Sequence, residues 1–235
     1  MFYVGIDDTD IKNAPGTNKL ARHLVRCLWP DYRSRVAIRH QLLFDPRIAY
    51  TSKNSSASLL LDGPEHGTVD ELAGRVRRLM EEWFTPGSDP GLCVTDRVPE
   101  AITAFGRRCQ QELVRQEEAR HLAAGHAMFL EGLGGTEDGV IGALAAVGLA
   151  AGGDDGRVVS VGLWPDDLAG PLDVALLHAR GVAEIRCLST GRTIAEGSVD
   201  IGKHLRPNYR GGQITLFVEP GPPDTPAAWR AVRLP

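Results

Sequence analysis

The sequence predicts a mixed α/β (α+β) protein, with an α/β core over residues 1–156 and a smaller β-rich unit over residues 157–235. Three observations predict it. Apolar runs of strand length, led by Phe2-Tyr3-Val4-Gly5-Ile6, end abruptly in polar residues, as buried strands do. Between such runs lie segments whose apolar residues recur at helical spacing, such as Leu20, Leu24, Cys27 and Leu28. Beyond Gly156 the helical pattern gives way to short apolar stretches at residues 158–163, 184–187, 193–195 and 214–218.

The first strand leads into Asp7, Asp8 and Asp10, three carboxylates within four positions. Ligand sites of α/β sheets lie beyond the carboxyl ends of the strands. Acids packed there repel one another unless a cation sits among them. Mg²⁺ takes one or two carboxylates, with phosphate and water completing its shell. The stretch therefore reads as a metal–phosphate site, against the simpler reading of a solvated acidic turn with an Asx cap. If strand geometry persists to Asp10, Asp8 and Asp10 share a face and Asp7 points away. That makes Asp8 and Asp10 the metal pair and Asp7 their support.

Residues 11–16 form a turn, and Thr17 or Asn18 caps the helix that follows. Backbone N–H groups at a helix start bind phosphate, so Thr9, Gly16 and Thr17 border the site, with Lys19 able to meet the same phosphate. Residues 36–44 alternate as a strand and Pro46 ends it; residues 57–61 form the next strand. Residues 50–56 between them are rich in hydroxyls and amides. They are either a surface loop or a hydrogen-bonding loop for a nucleotide, with Lys53 on a phosphate. A helix spans 69–84, with Leu72, Val76, Leu79, Met80 and Trp83 on its apolar face. Residues 85–91 are a loop and residues 92–94 a short strand. Pro99 starts a long helix carrying Phe105, Leu113 and Leu122.

Residues 132–139 contain four glycines, and a helix of small residues follows. A backbone of this kind can approach a ligand closely, and Thr136 can cap the helix. Gly142, Ala143 and Ala146 would let that helix pack tightly on a sheet. The G-K-S/T ending of a Walker A loop is missing. Residues 152–156 form a turn. In the C-terminal unit, residues 203–212 make a basic loop in which Lys203, Arg206, Tyr209 and Arg210 suit a nucleic-acid or nucleotide contact. A solvated hairpin tip is the plainer reading. The proline-rich tail from Pro220 ends by packing Trp229.

Composition sets the outer limits. At 235 residues, 43% hydrophobic and 24% charged, the chain is an ordinary globular protein. A net charge of −4 argues against a coat for nucleic acid. Cys27, Cys93, Cys109 and Cys187 include no C-x-x-C pair, which disfavours structural zinc and fits a reduced compartment. A basic-then-apolar leader and an apolar run of about 18 residues are both lacking. These features predict a cytoplasmic protein with no membrane partner.

Three stretches together resemble the archaeal tRNA-Ile agmatinylcytidine synthetase family. Gly5-Ile6-Asp7-Asp8-Thr9-Asp10 resembles its opening G-I-D-D-T-D-S, with Ile11 where the family has Ser. Asp45-Pro46-Arg47-Ile48-Ala49-Tyr50 through Asn54 resembles its N-P-N-I-P-W/F-K-T-R-G-N, with Lys53 near the Arg and Asn54 at the Asn. Gly139-Val140-Ile141-Gly142-Ala143-Leu144-Ala145-Ala146 resembles its G-R-G-L-I-G-A-L-A-A. The resemblance implies a kinase-like α/β core with ferredoxin-like elements, and ATP and Mg²⁺ as cofactors. In the family, ATP phosphorylates the C2 oxygen of the wobble cytidine of tRNA, and agmatine displaces the phosphate. Carried over, Asp7, Asp8 and Asp10 are catalytic, with Asp8 and Asp10 on the metal. Arg39, Lys53, Asn54 and the loop of Gly135, Thr136 and Gly139 hold phosphates. The chain lacks the length and paired cysteines for the family's oligonucleotide-binding and zinc-ribbon domains, and reads Gly16-Thr17-Asn18-Lys19 where the family has G-x-C-T-T. The expected protein is an ATP- and Mg²⁺-dependent activating enzyme acting on RNA or another phosphate acceptor. The alternatives are a nucleotide or RNA binder without turnover, and a structural paralogue with a degenerate site.

Overall fold

The computed structural model describes residues 1–12, 14–48, 50, 53–163, 167–222 and 227–234. The chain opens as β1 (Phe2–Asp7), α1 (Thr17–Leu28), β2 (Arg33–Gln41), β3 (Ser55–Asp62), α2 (Val69–Glu81) and β4 (Gly91–Thr95). The strands lie in the order β4-β1-β3-β2, each pair antiparallel. This is the split βαβ arrangement of a ferredoxin-like unit. Apolar runs without alternation usually mark parallel sheets. Here they occur in antiparallel strands because helices cover both faces.

On one face α1 and α2 bury Leu20, Leu24, Leu72, Val76 and Met80 against Val4, Ile6, Leu59 and Leu61. Thr68 and Glu71 form a reciprocal capping box at the start of α2. The other face is covered by α3 (Glu100–Cys109), α4 (Gln116–Gly125) and α5 (Gly139–Gly152), while β5 (Phe129–Gly132) extends the sheet from β4. Helix α5 sits almost on the backbone of β1 and β4. A Cβ on Gly5 would lie 1.9 Å from the Ala143 carbonyl oxygen, and one on Gly91 would lie 2.1 Å from the Gly139 carbonyl carbon.

Three expected elements end early, the first being α2, which stops at Glu81 rather than residue 84. The single helix foreseen from Pro99 is two helices, broken over residues 110–115. The Cys109 carbonyl there accepts the Leu43 N–H at 3.0 Å. The Gln110 side chain donates to the Gln41 carbonyl at 3.0 Å and to Asp155 at 2.9 Å. The strand foreseen to residue 44 stops at Gln41, because the Leu42 N–H turns to the Asn54 carbonyl at 2.9 Å.

The remainder forms β6 (Arg157–Ser160), β7 (Pro171–Asp173), α6 (Val174–Ala179), β8 (Glu184–Cys187), β9 (Ser198–Asp200), β10 (Asn208–Arg210), β11 (Gln213–Pro220) and β12 (Trp229–Ala231). Strand β6 pairs with β2 on one side and β10 on the other, so the sheet continues as β2-β6-β10-β11-β12-β9-β7, with β8 parallel to β11. Residues 193–195 form only an isolated bridge, Thr193 to Arg186. The C-terminal strands have their own apolar cluster, including Leu177, Ile185, Val199, Leu216 and Val218, with Trp229 packed against it. Among the described residues no helix is long and apolar enough to cross a membrane.

Candidate functional site

Strand β1 ends at Asp7, and Asp8 takes φ 49°, a left-handed conformation that Asp tolerates better than most residues. Alternation stops there, so the condition for placing Asp8 and Asp10 on one strand face is not met. The Asp7 carboxylate lies against the first turn of α5: a Cβ on Gly142 would stand 1.7 Å from its Oδ2. Burial first, and the neighbouring Asp8 charge second, push the Asp7 carboxyl up to about 8. Burial, followed by the charges of Asp89, Asp10 and Asp138, pushes Asp8 up to about 6.

These five carboxylates line one cavity of about 450 Å³, within the range of small-ligand sites. Arg47, Lys53, Asn54 and Arg115 line it too. Thr9 is buried and donates through Oγ1 to Thr17 at 3.2 Å; Thr17 in turn donates to Asp10 at 3.4 Å. Gly16 is the N-cap of α1, without a capping side-chain bond, and stands beside the Asp10 carboxylate. Lys19 is exposed and does not line the cavity.

Asn54 braces the wall through its own hydrogen bonds. Its Nδ2 donates to the Leu43 carbonyl at 2.7 Å, and its carbonyl accepts from Gln41 Nε2 at 2.6 Å. The Lys53 ammonium lies 5.5 Å from the centroid of the Phe44 ring. The glycine-rich loop turns toward Asp89. Gly135 is left-handed at φ 62°, the Thr136 N–H donates to Asp89 Oδ1, and the Gly139 N–H donates to the Asp89 carbonyl at 3.0 Å. Gly139 lines the cavity; Gly135 and Thr136 do not.

The remaining expected residues lie elsewhere. Arg39 is on β2, away from the cavity lining, and donates to Gln41 Oε1 at 2.7 Å. Lys203 is exposed, and Arg206 and Arg210 donate to the carbonyls of Leu205 and Tyr209. The Tyr209 ring packs among Val36, Ile38 and Val158. Of the hydroxyl-rich stretch, Thr51 and Ser52 fall outside the described residues. Sequence reasoning missed Asp89, Asp138, Arg47 and Arg115. Asp138 stood in the noted glycine-rich loop, while Asp89 carried no local signal at all.

Among the described residues no group of three or more His, Cys, Asp or Glu is placed to hold a metal by itself. Mg²⁺ needs only one or two protein carboxylates beside phosphate and water. Asp10 is close enough to Asp8 for its charge to raise the Asp8 pKa, and a cation between them would relieve that repulsion. The donor set fits Mg²⁺ on that basis.

No family model matches the chain, and no curated protein matches it by sequence. Its structure is similar to that of a tRNA fluorescent labeling enzyme, at 24% identity and TM-score 0.55, over 63% of this chain and 35% of that one. It is similar in the same way to the apo form of TiaS, a tRNA agmatidine synthetase, at 23% identity, TM-score 0.54, and 63% and 35% of the two chains. A TiaS–tRNA–ATP complex matches at 24% identity, TM-score 0.56, and 63% and 36%. The likeness is one of fold, and the matched part spans about a third of each of those proteins.

Proposed function

We propose that this chain is an ATP- and Mg²⁺-dependent phosphoryl-transfer enzyme that activates an RNA acceptor, related to the modification of the tRNA wobble cytidine. The observation that carries the reading is the meeting of Asp7, Asp8, Asp10, Asp89 and Asp138 with Arg47 and Lys53 in one cavity. Phosphoryl transfer depends on charge neutralisation and alignment, which such a mixed lining provides. The likeness to a structure that holds tRNA and ATP together supports the choice of ligands.

In this reading Asp8 and Asp10 hold Mg²⁺, which when bound supplies charge neutralisation at the phosphate oxygens. Lys53 and Arg47 neutralise the outer phosphates. Asp7, raised to about 8, holds its proton at neutral pH and can donate a hydrogen bond to an acceptor or phosphate oxygen in the cavity. Asn54 fixes the loop that presents Lys53.

A second reading, nucleotide binding without turnover, is favoured by one observation: the amides of Thr136 and Gly139 already serve Asp89 rather than facing a ligand. The test is a thermal-shift and ATP-turnover assay with and without Mg²⁺ on the wild type and Asp8→Asn. Asn keeps the left-handed backbone while removing the charge. A rise in Tm with MgATP is expected, as is turnover at least about 100-fold lower in the variant. Binding without turnover, whichever RNA is supplied, would select the second reading. No Tm response to any nucleotide would sink both.

A further inference from the structure

Strands β2 and β6 run antiparallel with Arg39 directly opposite Arg157. Residues so opposed hold their Cβ atoms about 4.5–5.5 Å apart on one face, and like charges there repel. Arg39 is 8% exposed. Arg157 is half-buried, and its Nε is buried without a hydrogen-bond partner. Among the described residues no carboxylate pairs with either guanidinium.

Two more arginines converge from the C-terminal strands. Arg206 lies just before β10, itself paired to β6 through Asn208 and Arg157, and Arg233 lies just after β12. Burial, then the charges of Arg206 and Arg233, hold the Arg157 guanidinium below its ordinary pKa. Burial, then Arg157, does the same to Arg39. Arginine does not escape such a position by losing its proton, and a partly buried charge without a counter-ion is costly. A protein with a net charge of −4 has no general need to gather cations here.

We infer that Arg39, Arg157, Arg206 and Arg233 form a phosphate-binding site at the seam of β2, β6 and β10, separate from the carboxylate cavity. None of the four lines that cavity, so the inference stands whether or not the chain turns over ATP. Guanidinium forks match the oxygens of a phosphate monoester or a phosphodiester equally well. The ligand is either a small free phosphate or the backbone of a single-stranded nucleic acid.

The test is phosphate binding by the full chain, with no nucleotide or divalent ion present. Tm is followed in inorganic phosphate and in chloride at matched ionic strength, for the wild type, Arg157→Gln, Arg206→Gln and the exposed control Arg192→Gln. Phosphate should raise the Tm of the wild type and the control saturably by several degrees. Arg157→Gln should lose that gain while melting in chloride no lower than the wild type, because repulsion has been removed. Arg206→Gln should weaken phosphate binding at least about fivefold, an arm that remains if Arg157→Gln does not fold. A ten-nucleotide single strand without terminal phosphate, followed by fluorescence anisotropy, separates the sources. Arg157-dependent binding of the strand alone assigns a phosphodiester, and binding of inorganic phosphate alone assigns a small phosphate ligand. Equal phosphate gains in all four proteins, or no binding of either probe, would overturn the proposal.

Discussion

Asp7 holds its proton more tightly in the folded chain than in the unfolded one, with its carboxyl raised from 3.8 to about 8. The stability this contributes is complete below about pH 4 and is lost as the pH rises toward 8. With divalent ions chelated, wild-type Tm should therefore fall across that window, and Asp8, raised to about 6, adds to the loss in its lower half. Asp7→Asn keeps an oxygen that can accept the Asp8 N–H but cannot ionise. Its advantage over the wild type should grow from near zero at pH 4 to on the order of 5 kcal/mol at pH 8. Melting curves across that range decide the matter, and a pH-independent difference would refute it. At this scale the sequence was informative about identity and silent about geometry. The acids at positions 7, 8 and 10 stood in plain view, but the left-handed turn at Asp8 did not, since nothing in an aspartate announces a positive φ.

Helix α5 was the most legible element after β1, because an unbroken run of small and apolar residues can only be buried. The closeness of its docking was less so, since the partner glycines lie on β1 and β4. Gly5→Ala should push the Ala143 carbonyl off β1 and cost about 3 kcal/mol, lowering Tm by roughly 6–12 °C. Gly74→Ala is the matched control: it lies inside α2 with nothing within 4 Å of the new methyl, and should stabilise by about 0.5–1 kcal/mol. Parallel thermal melts of the two variants would show the contrast, and a neutral Gly5→Ala would contradict the packing described. The break between α3 and α4 was illegible for a related reason. Leu43, Gln41 and Asp155 make it, and all three are distant from it in sequence.

Over the whole molecule, the shift from helical to short-strand pattern near residue 156 was readable, while β5, β7, α6, β9, β10 and β12 were not. Elements of three to six residues carry too little periodicity to stand out, and their pairing is decided by strands elsewhere. The sheet also runs straight across that compositional shift through β6. Residues 1–156 alone would leave the β2 edge unpaired where β6 now covers it. Bare edges recruit other strands. Size-exclusion chromatography should show that fragment self-associating while the full chain does not elute with it, and a monomeric fragment of undiminished Tm would contradict this.

The chain of bonds behind the cavity also sets an order of events during synthesis. Asp155 accepts from Gln110, holds buried His40 at 2.6 Å, and through Gln110 and Gln41 reaches Asn54 on the cavity wall. Asp89 waits for Thr136, and Asp7 for Gly142. The acidic motif thus leaves the ribosome before the rest of its pocket, which cannot close until some 150 residues have followed it. A nascent chain carries the charges long before it carries the site.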